Sequence, residues 1–456
     1  MRPVGRRRGD RPNVILFFTD QQRWDSTGLG GNPLGLTPNF DRLASAGTHL
    51  PLLFTCQPVC GPARSCLQTG QYATRTGVFR NGLGLAPDAV TLAGCFGAAG
   101  YRTGYIGKWH LARTPGDAVP EGERGGYAHW LAANALEHTS EPYHTLVYDG
   151  AGQPVELPGY RVDALTDAAI RFVTERRAEP FFLTLSFLEP HHQNHLDDYV
   201  PPHGYRGRYT GRYVPPDLAA LGGSAHQHLA GYWGCVARLD EALGRLQDAL
   251  VSLGLDEDTV VCFVSDHGCH FKTRNGEYKR SGHESSIHVP GALWGPGFDG
   301  GGRIRQLVSL VDLPPTLLEA AGLPVPETMQ GRSLLPLRGG AAADWPDDVF
   351  VQISEAQVGR AVRTRRWKYG VHAPDRAGGR DPSAERYVEE YLYDLEADPY
   401  ELCNLAGLDS HRDLSHVLAD RLVRRMVEAG EAAPEIVPAP ARRSGQRRVA
   451  PEELRA

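Results

Sequence analysis

No apolar run in the 456 residues approaches the about 20 needed to cross a bilayer, so no membrane span is expected. The basic start, Met1 to Asp10, is not followed by an apolar stretch with a small-residue cleavage site, and a cytoplasmic protein is the expectation. A formal net charge of −6 leaves no wholesale basic surface, which argues against general nucleic-acid binding. Cysteines are few: the eight, at 56, 60, 66, 95, 235, 262, 269 and 403, fall into no disulfide framework. Cys235 and Cys262 sit inside apolar periodic runs and read as buried thiols. Internal repeats are also missing.

What is present is ordinary for a globular chain, 41% hydrophobic and 22% charged, with length for one large domain and a smaller second one. Gly 53 and Pro 34 imply many turns and a loop-rich face. Three continuous apolar runs, 13–19 (NVILFFT), 181–187 (FFLTLSF) and 259–265 (TVVCFVS), read as strands covered on both faces. A further strand is expected over 101–106. Helices are expected over 38–46, 90–99, 162–177 and 225–253, the last with Leu229, Trp233, Val236, Leu239, Leu243, Leu246 and Leu250 on one face. Residues 114–160 read as loop. Strands alternating with helices imply an α/β fold, a large mostly parallel sheet sandwiched by helices, over 11–340. Short strands at 349–354, 361–364, 367–371 and 391–394, with a helix over 409–429, imply a small C-terminal α+β domain over 345–432 carrying an antiparallel sheet. Residues 433–456, rich in Pro and Arg, read as a mobile tail.

The chemistry-bearing residues follow the strands directly. Asp20, Lys108 and His110, His191 and His192, and Asp266 and His267 all stand where a parallel sheet presents its carboxyl ends, the usual place for a ligand. Another concentration is Cys56-Gln-Pro-Val-Cys60-Gly-Pro-Ala-Arg64, in which Pro62 suits the first turn of a helix. That would set Cys60 at the positive end of a helix dipole, a place for a nucleophile or a ligand. Taken singly, Asp20 would serve equally well as a turn cap, and each histidine as a satisfied structural imidazole.

Cys60-Gly-Pro-Ala-Arg64 fits Cys-x-Pro-x-Arg, and here the chain resembles the type I, formylglycine-dependent sulfatases of the alkaline-phosphatase-like superfamily. Cys56 fails the pattern because Cys60 stands where arginine is required, and Cys66 because Gln68 replaces proline. Other motifs recur in family order: the strand ending at Asp20, Leu67, Thr69 and Gly70 closing the first signature, Gly107-Lys108-Trp109-His110, and Ser265-Asp266-His267-Gly268. Lys279, with Glu284 and Val289-Pro290 behind it, completes the set, and Trp367-Lys-Tyr and Leu392-Tyr-Asp-Leu resemble the family's second domain.

The resemblance implies hydrolysis of sulfate monoesters, with Cys60 oxidised to formylglycine by a formylglycine-generating enzyme and its hydrate acting as nucleophile. It implies one divalent cation held by Asp20, Gln21, Asp266, His267 and the modified Cys60. Calcium is expected, with manganese or magnesium credible, since Gln21 replaces a second Asp and His267 the more frequent Asn. Arg64 would hold the hydrate, Lys108 a sulfate oxygen, and His110 would deprotonate the second hydroxyl to expel sulfate. His191 and Lys279 would lie on the leaving-group side, one as general acid. His191 is preferred over His192 as the inward histidine, with His192, Asn194 and His270 as further substrate contacts. His288, where arginine commonly precedes Val-Pro, is read as structural. The implied substrate is a sulfated small molecule or carbohydrate. The alternatives are a phosphonate monoester or phosphodiester hydrolase of the same superfamily, and a non-catalytic sulfoglycan-binding protein.

Overall fold

Val14 to Phe18 lie in strand β1 (Asn13–Thr19), the middle of a nine-stranded sheet, in a computed structural model that describes residues 11–175, 179–340, 344–443 and 451–455. Strand β1 pairs in parallel with β5 (Thr259–Ser265) on one side and β4 (Phe181–Ser186) on the other. Beyond β4 follow β2 (Arg102–Lys108) and β3 (His129–Ala133), also parallel. The parallel pattern ends there. Gly291–Trp294 runs antiparallel beside β5, and His144–Asp149 and Pro154–Pro158 continue antiparallel beyond β3. The sheet is therefore mixed, parallel at its centre and antiparallel at both edges.

The residues of β1 divide by the two-residue period of a strand. Val14, Leu16 and Phe18 point into one apolar cluster with Ala63 and Leu67, while Ile15 and Phe17 point into another with Leu165, Leu239 and Leu243. Helix α1 (Cys60–Thr69) thus covers one face, and α2 (Arg161–Thr174) and α3 (Ala225–Leu253) cover the other. Each large side chain so buried contributes about 1.5–3 kcal/mol. Helix α2 ends three residues before the expected 177, and residues 176–178 lie outside the described ones.

Residues 114–160 depart most from expectation. Strand β3, the two edge strands and a short helix, Leu136–Thr139, lie where the sequence reads as loop. The edge strands are short and partly exposed, so they lack the continuous apolar runs that mark β1, β4 and β5.

Four antiparallel strands, Asp348–Ile353, Gly359–Thr364, Trp367–His372 and Arg386–Asp394, form the C-terminal sheet. Helix Arg412–Glu428 packs against it through Leu414, Leu418, Leu422 and Met426, one helical turn apart. The segment expected as a free tail begins with a fifth strand: Glu435–Val437 pairs in parallel with Arg386 to Val388, and Arg442 bridges to Leu408. Apolar side chains from both parts share one cluster, in which the Tyr72 and Phe350 rings meet edge-on with centroids 5.3 Å apart.

Candidate active site

Cys60 opens helix α1 with Val59 as the extended residue before it, and only 1% of Cys60 is exposed. Pro62 sits in the first turn, where no intrahelical N–H is needed. Gly70 ends the helix in the left-handed region at φ 66, a conformation that suits glycine. Gly107 matters for a different reason: a Cβ there would lie 1.9 Å from the Ser186 carbonyl oxygen. Its absence lets β2 and β4 pass closely just before Lys108.

Strand ends and the segment after β5 bring five groups to the Cys60 sulfur, whose atom stands where the oxygens of a formylglycine would lie. Lys279 Nζ is 2.8 Å from Sγ, His267 Nε2 3.3 Å and Asp20 Oδ1 3.4 Å. Burial raises the thiol's pKa, but the Lys108 and Lys279 ammonium groups, with His267 and a hydrogen bond from His110, hold it well below the usual thiol range. A deprotonated atom is thus strongly favoured at this position.

Asp20 is the hub. Its Oδ2 accepts from Lys108 Nζ at 2.8 Å and from Arg64 at 2.9 Å. Burial and Cys60 push its carboxyl up, but Lys108, His191 and Arg64 outweigh them and keep it ionised. Arg64 also donates to the Lys108 carbonyl and to Ser186 Oγ, at 2.8 and 2.7 Å, so it ties α1 to the ends of β2 and β4. Asp266 differs: burial and the Asp20 charge raise its pKa to about 7, and its Oδ2 has no hydrogen-bond partner among the described residues.

Asp20, Cys60, Asp266 and His267 offer ligand atoms that all lie within 4.8 Å of one another. His267 Nδ1 faces the Gly268 carbonyl at 2.9 Å, which places the proton there and leaves the Nε2 lone pair toward the carboxylates. Two buried carboxylates, an orphaned oxygen and an oriented imidazole fit a divalent cation. Gln21 sits beside them at φ 68, and its Oε1 accepts the His192 N–H at 2.9 Å, with a second lone pair remaining.

On the opposite side, His191 Nε2 lies 3.0 Å from Lys279 Nζ, and its Nδ1 lies 2.6 Å from the His192 carbonyl. The carbonyl fixes Nδ1–H, so Nε2 accepts from the lysine. Burial and Lys279 lower the His191 pKa. His191 is the inward histidine of the pair. His192 turns away, stacked on Tyr278 with ring centroids 4.2 Å apart. His270 is fully buried with Nε2 on the Lys279 carbonyl at 2.9 Å, where it supports the lysine's backbone instead of facing a substrate as expected. Asn194 is exposed and shares a cavity of about 400 Å³ with Glu137, Ser140, Glu141 and His195. His110, at φ 63, has its amide held by the Asn134 carbonyl at 2.6 Å, and its buried Nδ1 has no hydrogen-bond partner among the described residues. His288 stacks between Trp24 and Phe54 and reaches Glu284, a structural setting.

One residue was invisible in the sequence. Glu137 follows β3, and its Oε1 lies 2.9 Å from Lys108 Nζ, opposite Asp20. A single Glu in a stretch without periodicity carries no signal. The strand end that delivers it would have been the only clue.

Comparison with known proteins adds the lineage. The sulfatase family model matches residues 12–323, and a model described as N-sulphoglucosamine sulphohydrolase, C-terminal, matches 276–428. An ulvan-active sulfatase from Formosa agariphila is 29% identical over 445 residues, covering 92% of this chain and 82% of the relative. A structure solved in complex with its substrate D-glucosamine-2-N,6-O-disulfate shares the fold with a TM-score of 0.80, at 22% identity over 92% of this chain and 98% of the other. The phosphonate monoester hydrolase of Agrobacterium radiobacter superposes with a TM-score of 0.71, at 25% identity over 92% of this chain and 96% of that one. The first match takes in all five parallel strands and Cys60 itself, and the chain belongs to the sulfatase family.

Proposed function

We propose that the protein hydrolyses sulfate monoesters of carbohydrates, with Cys60 carried as formylglycine and one divalent cation at Asp20, Asp266 and His267. The observation that carries this reading is the convergence of two carboxylates, three fixed cations and two histidines on the atom at position 60. A sulfoglycan binder would not need a cluster that holds the pKa of a buried nucleophile so low. The sugar assignment is supported by the name of the matching C-terminal model and by the ulvan-active relative.

A cation at this site would polarise a sulfate oxygen and favour the ionised nucleophile. Formylglycine would supply a geminal diol, one hydroxyl to attack sulfur and one to expel the sulfate afterwards. Arg64 and Lys108 place positive charge on the side of Asp20, where the sulfate oxygens gain charge. Lys279 Nζ carries a proton shared toward His191 Nε2 at 3.0 Å, and this pair can protonate the departing alcohol. His110, with its unpaired Nδ1, is positioned to take the proton of the second hydroxyl.

Calcium is the proposed ion because the carboxylates are hard ligands; His267 keeps manganese and magnesium open. Maturation by a formylglycine-generating enzyme belongs to the same reading. The deciding experiment combines mass analysis of the Cys60 peptide with rates on a sugar sulfate, an aryl sulfate, a phosphodiester and a phosphonate. Formylglycine and a preference for sulfate esters are expected. A diester or phosphonate optimum would move the protein to the other branch of the superfamily, and an unmodified cysteine in active protein would overturn the nucleophile.

A further inference from the structure

We propose that His192, His228 and Asp197 form a second metal site, beside the catalytic cluster and distinct from it, for a borderline divalent ion such as zinc. Their ligand atoms lie within 4.8 Å of one another. His192 is 3% exposed and His228 1%, yet His192 Nε2 and both nitrogens of His228 have no hydrogen-bond partner among the described residues. Buried imidazoles in that condition are uncommon, because each unsatisfied nitrogen forfeits the water it had when exposed.

The surroundings orient both rings. His192 Nδ1 lies 3.2 Å from Asn194 Oδ1, so its Nε2 is left toward Asp197 Oδ1, also 3.2 Å away. His228 Nδ1 is 3.7 Å from Asp198 Oδ1, which biases the proton to that nitrogen and leaves Nε2 as the lone pair. An oxygen acceptor behind each ligating histidine is the usual support of a metal-bound imidazole. The rings stand nearly perpendicular, 80° apart with centroids at 5.7 Å, walled by Tyr199 and Tyr278.

Two imidazoles and one carboxylate differ in kind from the oxygen-rich set at Asp20 and Asp266. Nitrogen-rich sets favour zinc or cobalt, whereas the carboxylate pair suits a harder ion. Asp197 has 62% of its side chain exposed, which opens a fourth position to water. Two groups already touch that carboxylate: Tyr278 donates to Oδ1 at 2.8 Å, and Lys272 Nζ lies 3.8 Å from the same oxygen. Both fall on Oδ1, and the lysine, itself partly exposed, also lies over the Tyr278 ring at 4.8 Å from its centroid. The site adjoins the chemistry because the His192 carbonyl holds His191 Nδ1 and the His192 N–H holds Gln21. An ion there would stiffen the turn that carries His191.

The test is titration of Co2+ into full-length protein already saturated with Ca2+, read by visible absorption and by bound metal per chain. One tightly held Co2+, displaced by Zn2+ and unchanged in Asp266→Asn, is expected. Affinity should fall at least tenfold in both His228→Gln and Asp197→Ala. Asp197 is exposed, so its variant will fold even where the buried His228 variant does not, and it then decides alone. Absence of added cobalt, cobalt that survives Asp197→Ala, or cobalt lost only in Asp266→Asn would overturn the proposal.

Discussion

Lys108 Nζ is held between two carboxylates, Asp20 Oδ2 at 2.8 Å and Glu137 Oε1 at 2.9 Å, with none of its side chain exposed. An ammonium has three N–H donors, so one remains for a substrate oxygen. Glu137 therefore acts as a positioning residue. Glu137→Gln should lower kcat/KM by about 10- to 100-fold, mostly in kcat, because a charged hydrogen bond is worth about 1.5–3 kcal/mol. Glu137→Asp should recover part of the loss; an unchanged kcat would reject the role.

The same carboxylate links stability to pH. Burial opposes its ionisation, but Lys108, His110 and His191 lower its pKa from 4.5 to about 2. A depressed acid stabilises the fold above its unfolded pKa, and that contribution fades as pH falls from about 4.5 toward 2. Urea denaturation should show a gap between parent and Glu137→Gln at pH 7 that narrows at pH 3.

Lys279→Ala should separate substrates by leaving group. A sugar alcohol needs protonation as it departs, whereas a nitrophenolate leaves unaided. The variant should lose about 10²- to 10⁴-fold on sugar sulfates and clearly less on nitrophenyl sulfate. Equal losses on both would assign Lys279 to sulfate binding instead of proton transfer.

Chelation should be visible without any assay of turnover. With the Asp20 and Asp266 carboxylates both buried, an ion that binds only the folded chain adds about 2.7 kcal/mol at a concentration 100 times its Kd. Tm should therefore fall on EDTA treatment and return with calcium, while Asp266→Asn should abolish the response.

Lys368 ties the C-terminal sheet to the catalytic part. Its buried Nζ lies 2.6 Å from Glu401 Oε1 and 2.8 Å from Glu284 Oε1. Lys368→Ala leaves the buried Glu401 carboxylate without its ion pair, while Glu284 keeps Arg363 and His288, and should cost about 3–5 kcal/mol, measured by denaturant unfolding. Loss of less than 1 kcal/mol (about a fivefold change in equilibrium) would show that water reaches the pair.

What the sequence made legible follows burial. Strands β1, β4 and β5 are covered on both faces and so read as unbroken apolar runs, and α3 spans the residues its periodicity marks. The runs of β1 and β5 lead directly into Asp20 and Asp266, and that of β4 into the turn that carries His191, so much of the site came with the strands. The partly exposed edge strands between 144 and 158 mix polar and apolar residues and gave no such pattern. Glu137 was lost with them. Sequence supported only a preference for His191 over His192, because adjacent residues in a turn diverge according to contacts made far away, here with Lys279 and Tyr278. The strand Glu435–Val437 is only three residues long, and its pairing depends on a neighbour that no local pattern reveals.

The apolar cluster shared by the two sheets has a consequence for synthesis. Val308, Leu313 and Leu317 pack in the same cluster as Phe350, Trp367 and Leu414, which leave the ribosome later. Until those residues arrive, the emerging chain carries an uncovered greasy face of the kind that chaperones hold. Folding is thus completed from the C-terminal end, and a chain cut short near 340 would aggregate before it could act.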